Sequence, residues 1–504
     1  MIDALRVTAG WVLVWLLGVA IVAALTQHRR DGGAASVLTR GKASWIAGSG
    51  FLAGAFVLTV WMRVLSAAHI RFSVGSVAVP IAAAALALAA VAWRRLRARR
   101  DSQPSMITRP DSALAAQVDS SRTTHPDPSP IAHPDSSPTA HSSRSSMTHP
   151  ASALWWGLAA WLAVRFALLL SEVIWTPLYP WDAWHQWATK ARVWYEFGHI
   201  VPFVNAGAWF AAHGTAWTDA APNYPATVPL WQVWSCIALG RWDDSLMNLP
   251  WWLTAVALAF SVYGAVRSSG GSALAAMIGA WLVSSLPLAN VHVALAGYAD
   301  LPMAAYYALA ALALWRWTQS RRIADATLAL LFALACPSIK TPGLVWALTL
   351  VPAVLVTLLP RRGPRLVGIG LATVMFALLV LARTHPVVLG YRLHLDFTPA
   401  WNGLADSFFL LGNWNLLWYA ALACAIVMWR ELSVRPMLPL SLTLGIGFLF
   451  LAVVFAFTNA RDWVSDQTTI NRAVLHIAPL ATVWVVLLST RWLESHGILR
   501  ARAA

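Results

Sequence analysis

Charged residues are scarce in this sequence, and acidic residues are the scarcest of them. Asp, Glu, Lys and Arg together make up 11% of the 504 residues, whereas 59% of the residues are hydrophobic. Many apolar runs approach or exceed the roughly 20 residues with which a helix crosses a bilayer. Such runs favour helices, because a helix pairs its own backbone polar groups where lipid offers no water. The composition excludes an ordinary soluble enzyme and predicts a multi-pass helical membrane protein.

Cysteine is nearly absent as well. The chain has 3 cysteines, Cys236, Cys336 and Cys424, and they lie far apart in apolar surroundings. This spacing predicts neither a disulfide framework nor a thiolate metal site.

The few charges are unevenly divided, with 36 basic and 21 acidic residues and a formal net charge of +15. The basic residues fall in short runs between apolar segments, such as "RRLRARR" (94–100) and "RRGPR" (361–365). Cytoplasmic loops of membrane proteins are enriched in such runs. The pattern therefore predicts cytoplasmic loops and no nucleic-acid partner, and it places the loops 171–225, 384–406 and 458–472 on the extracytoplasmic side.

The apolar runs divide the chain into three parts. Residues 1–94 contain three apolar runs and are predicted to form a three-helix membrane region. Residues 95–151 are rich in Ser, Pro, Thr and His. The second stretch has too few apolar residues to offset the cost of ordering, which predicts a disordered cytoplasmic linker. Residues 152–495 form the main transmembrane module, with a large extracytoplasmic loop at 173–225. In total we expect an all-α bundle with about 13 spans.

The large loop contains "YPWDAWHQWATKARVWYEFG" (179–198), in which several tryptophans surround one aspartate. On a helix, Asp182 and His185 lie on one face with Lys190 beside them, opposite a face of large rings. Such a pattern predicts an amphipathic helix resting on the outer leaflet, with its rings towards lipid. Asp182 would present its carboxylate at this surface, and His185 and Lys190 are candidate substrate contacts. The ring face comprises Trp184, Trp187, Trp194 and Tyr195.

Three other charged residues fall at the outer ends of apolar runs. They are Asp300 in "GYADLP", Lys340 in "IKTPG" and Arg472 in "NRAVLHIAP". A carboxylate can take a proton from an attacking hydroxyl or amine, and cations can stabilise a departing phosphate. Asp182 and Asp300 are also candidate ligands of a divalent metal, Mg or Mn.

Each of these residues has a structural alternative. Asp182 and Asp300 are equally candidates for helix caps or turns. Lys340 is a candidate for snorkelling to the interface. Arg472 has the alternative of pairing with the nearby Asp462 or Asp466.

The motifs "WDAWHQWATKARVWYEFG", "PNYPATVPLWQVW", "GYADLPMAAYYALAALAL" and "IKTPGLVWAL" occur in this order. In this order they resemble the membrane glycosyltransferases of the GT-C fold, above all bacterial relatives of protein O-mannosyltransferases and lipid A aminoarabinose transferases. The resemblance runs from about Ala151 to Ser495 and leaves out the first 150 residues. It implies a bundle with amphipathic helices in the first large extracytoplasmic loop. It also implies transfer of a sugar from polyprenyl phosphate on the extracytoplasmic side.

The resemblance assigns roles to individual residues. Asp182 matches the acidic position of the first outer loop, which implies the catalytic base, and Asp300 matches the second outer acidic position. Lys340 stands in "KTPG" where relatives resemble "KNEG", so only binding of the donor phosphate is implied for it. Arg472 is similar to a basic residue near the last helix of the family proteins, and we expect it to bind the phosphate of the lipid donor.

One motif departs from the family pattern. The chain reads "APNYP" where relatives resemble "HPDYP". Asn223 cannot act as a base, so we predict Asn223 and Tyr224 as substrate contacts only.

These observations predict an inverting, polyprenyl-phosphate-dependent glycosyltransferase in the bacterial inner membrane. Its partners are a polyprenyl-phosphate sugar, membrane lipids and an extracytoplasmic acceptor that is a glycan, a lipid or a protein. Two alternatives stay open: a transporter or flippase of lipid-linked or small polar substrates, and an assembly protein for surface polysaccharide.

Overall fold

The computed structural model describes residues 2–26, 41–101, 149–388 and 390–498. The described chain is mainly helical, and its sheet consists of the antiparallel strands β1 (Val387–Val388) and β2 (Tyr391–Arg392). The prediction of an all-α chain is thereby confirmed. The three cysteines are buried and free.

In chain order the α-helices are α1 (Ile2–Thr26), α2 (Lys42–Ala67), α3 (Val74–Asp101), α4 (His149–Trp175), α5 (Thr189–Phe197), α6 (Ala206–Ala211), α7 (Thr227–Leu239), α8 (Leu249–Ser268), α9 (Ala273–Ser284), α10 (Pro287–Ala294), α11 (Asp300–Ser320), α12 (Ile323–Ile339), α13 (Gly343–Leu348), α14 (Val351–Leu358), α15 (Gly363–Ala382), α16 (Trp401–Ala405), α17 (Leu417–Val427), α18 (Trp429–Leu432), α19 (Leu438–Phe457), α20 (Thr468–Leu475) and α21 (Ala478–Ser495). Short π-helical segments cover Ala183–Ala188 and Asp406–Leu410, and 3₁₀ turns cover Leu246–Asn248 and Asn459–Trp463.

Within the described residues, 7 helices are long and apolar enough to cross a membrane, or up to 9 if each bent pair is one span. The bent pairs are α9 with α10, at 61°, and α20 with α21, at 47°. The chain is thus compatible with a multi-pass membrane protein, whereas the expected 13 spans are not confirmed. One reason is that some apolar runs are broken. The run at 342–360 divides into the short helices α13 and α14, with Pro352 at the start of the second.

The three predicted N-terminal helices are present as α1, α2 and α3. They share the core of the main module instead of standing apart from it. A Cβ atom at Gly48 of α2 would lie 2.3 Å from the carbonyl oxygen of Ala257 in α8, so only glycine permits this approach. Most of the predicted linker, residues 102–148, lies outside the described residues. Its two ends, however, are helical, because α3 continues to Asp101 and α4 begins at His149.

The tryptophan-rich loop differs from the expected amphipathic helix. Trp187 and Trp194 do not face lipid, since they are 0% and 3% exposed within the protein core. Trp187 stacks on Tyr224 at 5.2 Å, and the Trp194 indole donates a hydrogen bond to the Val201 carbonyl. The following part of the loop therefore covers Trp187 and Trp194, whereas Trp184 of the same face is 43% exposed. The rings fix the position of Asp182 by packing inside the protein.

Helix α11 forms the centre of the bundle. Every residue from Asp300 to Arg316 is buried. The Tyr306 hydroxyl donates to the Leu52 carbonyl of α2, and the Tyr307 hydroxyl bonds to Thr349. Since α11 begins at Asp300, the fold presents this carboxylate from the middle of the protein.

Candidate functional site

Asp300 is fully buried and contacts three basic side chains. Its Oδ1 accepts a hydrogen bond from Lys340 Nζ at 2.5 Å and lies 3.1 Å from His476 Nε2. Its Oδ2 accepts from Arg472 Nε at 2.9 Å. A buried carboxylate is tolerated only with such partners, because removal from water is costly. Asp300 therefore organises the basic groups and does not act as a cap, since its helix has no side-chain cap hydrogen bond.

Arg472 connects Asp300 to the second predicted carboxylate. Its Nη1 donates to Asp182 Oδ2 at 2.5 Å, and its guanidinium lies 4.7 Å above the Tyr298 ring. The Arg472 and Asp182 side chains are 25% and 22% exposed. Asp182 makes no cap hydrogen bond to the segment that it precedes. One guanidinium thus bridges a buried carboxylate and a partly exposed one.

The alternative partners of Arg472 are engaged elsewhere. Asp462 lies 3.6 Å from Arg461, and Asp466 accepts a hydrogen bond from the Thr468 amide at the start of α20. The structure therefore favours the pairing of Arg472 with the two site carboxylates.

Two glycines permit the approach of the segments that carry these groups. Gly297 has φ +107°, and a Cβ atom there would lie 2.6 Å from Cβ of Ala183, the residue after Asp182. A Cβ at Gly343 would lie 2.1 Å from the Cys336 carbonyl, at the turn that follows Lys340. Glycine alone has the conformational freedom and small volume that these contacts require.

The charged cluster closes one end of a cavity of about 1070 Å³. The rest of the cavity is apolar and runs between α13, α14, α15 and α19. Its apolar lining includes Leu355, Leu371, Val374, Leu378, Leu449 and Val454. Its polar end is lined by Asp182, Gln186, Asn223, Tyr224, Lys340, Thr341, Tyr391, Thr469, Arg472 and His476. The shape suits a ligand with a long apolar part and one anionic head.

Two tyrosines at the polar end remain neutral at physiological pH. Burial raises the pKa of Tyr224 to about 12, and the neighbouring Tyr391 and Asp300 act in the same direction. Burial also raises the pKa of Tyr391. Both phenols can therefore donate hydrogen bonds to a polar ligand without adding negative charge.

The structure brings together five of the predicted residues, namely Asp182, Asn223, Tyr224, Lys340 and Arg472, at the polar end of the cavity. Asp300 lies directly behind them. His185 and Lys190 do not line the cavity. His185 stacks on the Trp181 ring at 5.0 Å, and Lys190 is 1% exposed and pairs with Asp219 at 2.6 Å.

The sequence predictions missed His476 and Tyr391. His476 follows Arg472 by four residues, which is one helical turn, so this spacing offered a signal. Tyr391 comes from a two-residue strand in the 384–406 loop, and no spacing connects it to the other site residues.

Among the described residues, no group of three or more His, Cys, Asp or Glu side chains is placed to hold a metal ion. Asp182 and Asp300 pair with cationic side chains. The magnesium or manganese site stays a prediction.

No family model, curated protein or solved structure matches the chain in the three comparisons. The likeness to GT-C enzymes is therefore carried by the sequence motifs alone and stays a prediction.

Proposed function

We propose that the chain is an inverting glycosyltransferase that takes its sugar from a polyprenyl phosphate. One observation carries the proposal: an apolar cavity of about 1070 Å³ ends at Lys340 and Arg472, with Asp182 beside them. An apolar chain with a single phosphate at its head matches this combination of walls and charges. The GT-C resemblance supports the same donor, and the basic runs 94–100 and 361–365 favour an extracytoplasmic site in the bacterial inner membrane.

The charges of the site balance. Lys340 and Arg472 carry two positive charges, and Asp182 and Asp300 carry two negative ones. An arriving phosphate competes with Asp182 for Arg472. Asp182 is the more exposed of the two carboxylates, because Asp300 is fully buried behind the cations. Charge-assisted hydrogen bonds to phosphate oxygens favour this exchange. The donor then displaces Asp182 from Arg472 and frees its carboxylate for the acceptor.

The reaction follows from this arrangement. The acceptor hydroxyl or amine loses its proton to Asp182 while its oxygen or nitrogen attacks the anomeric carbon. The bond from that carbon to the phosphate oxygen breaks, and polyprenyl phosphate leaves with the electron pair. Lys340 and Arg472 stabilise the negative charge that develops on the leaving oxygen. A single displacement of this kind inverts the anomeric carbon.

The experiment that tests this function uses purified protein in lipid vesicles and a polyprenyl-phosphate donor with a radiolabelled sugar. We expect the wild type to release free polyprenyl phosphate and to transfer the label to an acceptor. Asp182→Asn is expected to abolish turnover. Glu172→Gln, an exposed carboxylate outside the cavity lining, serves as the matched control. Movement of the intact donor across the vesicle membrane without sugar release would instead support the transporter alternative.

A further inference from the structure

Two opposite charges are buried together beneath the first outer loop. Lys190 of α5 is 1% exposed, and its Nζ lies 2.6 Å from Asp219 Oδ2, whose side chain is 0% exposed. The Phe203 ring covers the ammonium at 5.5 Å. A buried charge needs an opposite charge close to it, and each member of this pair provides that charge for the other.

Both members of the pair bind the same residue of the loop. Lys190 Nζ donates to the Ala221 carbonyl oxygen at 2.7 Å, and the Ala221 amide donates to Asp219 Oδ1 at 2.9 Å. The Tyr224 amide donates to the same Ala221 carbonyl at 3.0 Å. The ion pair thus fixes the backbone from residue 219 to residue 224.

This backbone forms one wall of the polar end of the cavity, through Ala221, Asn223 and Tyr224. Lys190 lies on the helix that continues the segment after Asp182. The Lys190–Asp219 pair therefore sets how far the wall lies from the proposed base. The two cations proposed for the donor phosphate lie on other elements, at the end of α12 and in α20.

We propose that Lys190 and Asp219 are positioning residues that set the acceptor-facing wall of the site. The inference rests on the proposed function. A base must lie within hydrogen-bond reach of the proton that it removes, so the acceptor hydroxyl or amine lies next to Asp182. Asn223 and Tyr224 line the same cavity as Asp182, and an amide and a phenol can bind a polar acceptor. Lys190 acts on the acceptor through this wall and does not touch it.

The test replaces the pair by apolar residues in the double variant Lys190→Met/Asp219→Leu. Removal of both charges leaves no unpaired buried ion, which is the usual cause of unfolding when one partner is removed. We expect KM for the acceptor to rise by about tenfold to a hundredfold, because a small misplacement near reacting groups has effects of this size. KM for the polyprenyl-phosphate donor is expected to change by less than about twofold. Arg192→Met, on the same helix but exposed, is the control.

Amide hydrogen exchange gives a second readout that needs no turnover. We expect faster exchange at residues 219–224 in the double variant and unchanged exchange around Lys340. An unchanged KM for the acceptor, an equal rise in both KM values, or unchanged exchange at 219–224 would each overturn the inference. A wild type that transfers no sugar from any polyprenyl-phosphate donor would refute the proposed function instead. The exchange result would then still decide whether the pair fixes the wall.

Discussion

Competition between Asp182 and a donor phosphate for Arg472 can be detected by measuring the affinity of the protein for the phosphate. If the phosphate must displace Asp182, removal of this carboxylate should tighten the binding of a polyprenyl phosphate that carries no sugar. Asp182→Asn keeps the shape of the side chain and removes its charge. The gain should depend on Arg472, because Asp182 pairs with this guanidinium.

The size of the gain follows from the exposure of the pair. Two unit charges about 4 Å apart attract by about 4 kcal/mol at the effective dielectric constant near a protein surface. Solvent screening and lost side-chain freedom reduce exposed pairs to about 0.2–1 kcal/mol. The two side chains are 25% and 22% exposed, so we take the upper end of that range. About 1 kcal/mol corresponds to about fivefold tighter binding.

The assay is equilibrium binding of farnesyl phosphate to purified protein, with farnesol as the uncharged control. We expect Asp182→Asn to bind farnesyl phosphate about fivefold more tightly and farnesol equally well. In the Arg472→Gln background, Asp182→Asn should give no such gain. A gain of equal size in that background would mean that Asp182 only repels the phosphate, and the competition would be refuted.

Three further predictions concern stability and charge. Asp300→Asn removes the buried carboxylate that three basic side chains share, so we expect a loss of about 3–5 kcal/mol in unfolding free energy and a loss of farnesyl phosphate binding. Thermal unfolding and the binding assay measure the two effects, and wild-type values in both would contradict the role of Asp300. Gly297→Ala forces a Cβ against Ala183, and we expect it to destabilise the protein by about 1–3 kcal/mol. Gly368→Ala, where a Cβ meets nothing within 4 Å, should not destabilise the protein. The phenol of Tyr224 ionises near pH 10 in the unfolded chain but only near pH 12 in the folded protein. The unfolded chain therefore binds fewer protons in this window, and stability should fall as the pH rises through it. Tyr224→Phe should lessen this fall in thermal unfolding, and an identical fall in both proteins would contradict it.

The fold could be predicted from the sequence where apolar runs are long and unbroken. The helices α2 and α19 follow such runs closely. The number of spans could not be predicted, because apolar composition does not show where a helix bends or stops. The break between α13 and α14 is an example.

The ring face of the tryptophan-rich loop shows a second limit. A sequence pattern reveals that Trp187 and Trp194 share a face, but lipid and protein are equally apolar partners for it. Tyr224 covers Trp187 and Val201 binds Trp194, and the pattern of the helix itself does not predict these contacts.

The candidate site was predictable in part for a physical reason. Charges are costly in a membrane, so those at the ends of apolar runs stand out, and the sequence identifies Asp300, Lys340 and Arg472 in this way. The sequence predicts Lys190 as a substrate contact because it lies beside the polar face that carries Asp182. It does not reveal the pairing of Lys190 with Asp219, which lies in a different part of the loop. The bridging position of Arg472 between two carboxylates likewise depends on tertiary packing.

A structure of the protein bound to a polyprenyl phosphate tests the central claim most directly. We predict that the phosphate lies within hydrogen-bond distance of Lys340 and Arg472 and that the polyprenyl chain lies between α14, α15 and α19. A phosphate bound elsewhere, with Arg472 still held by Asp182, would contradict the account.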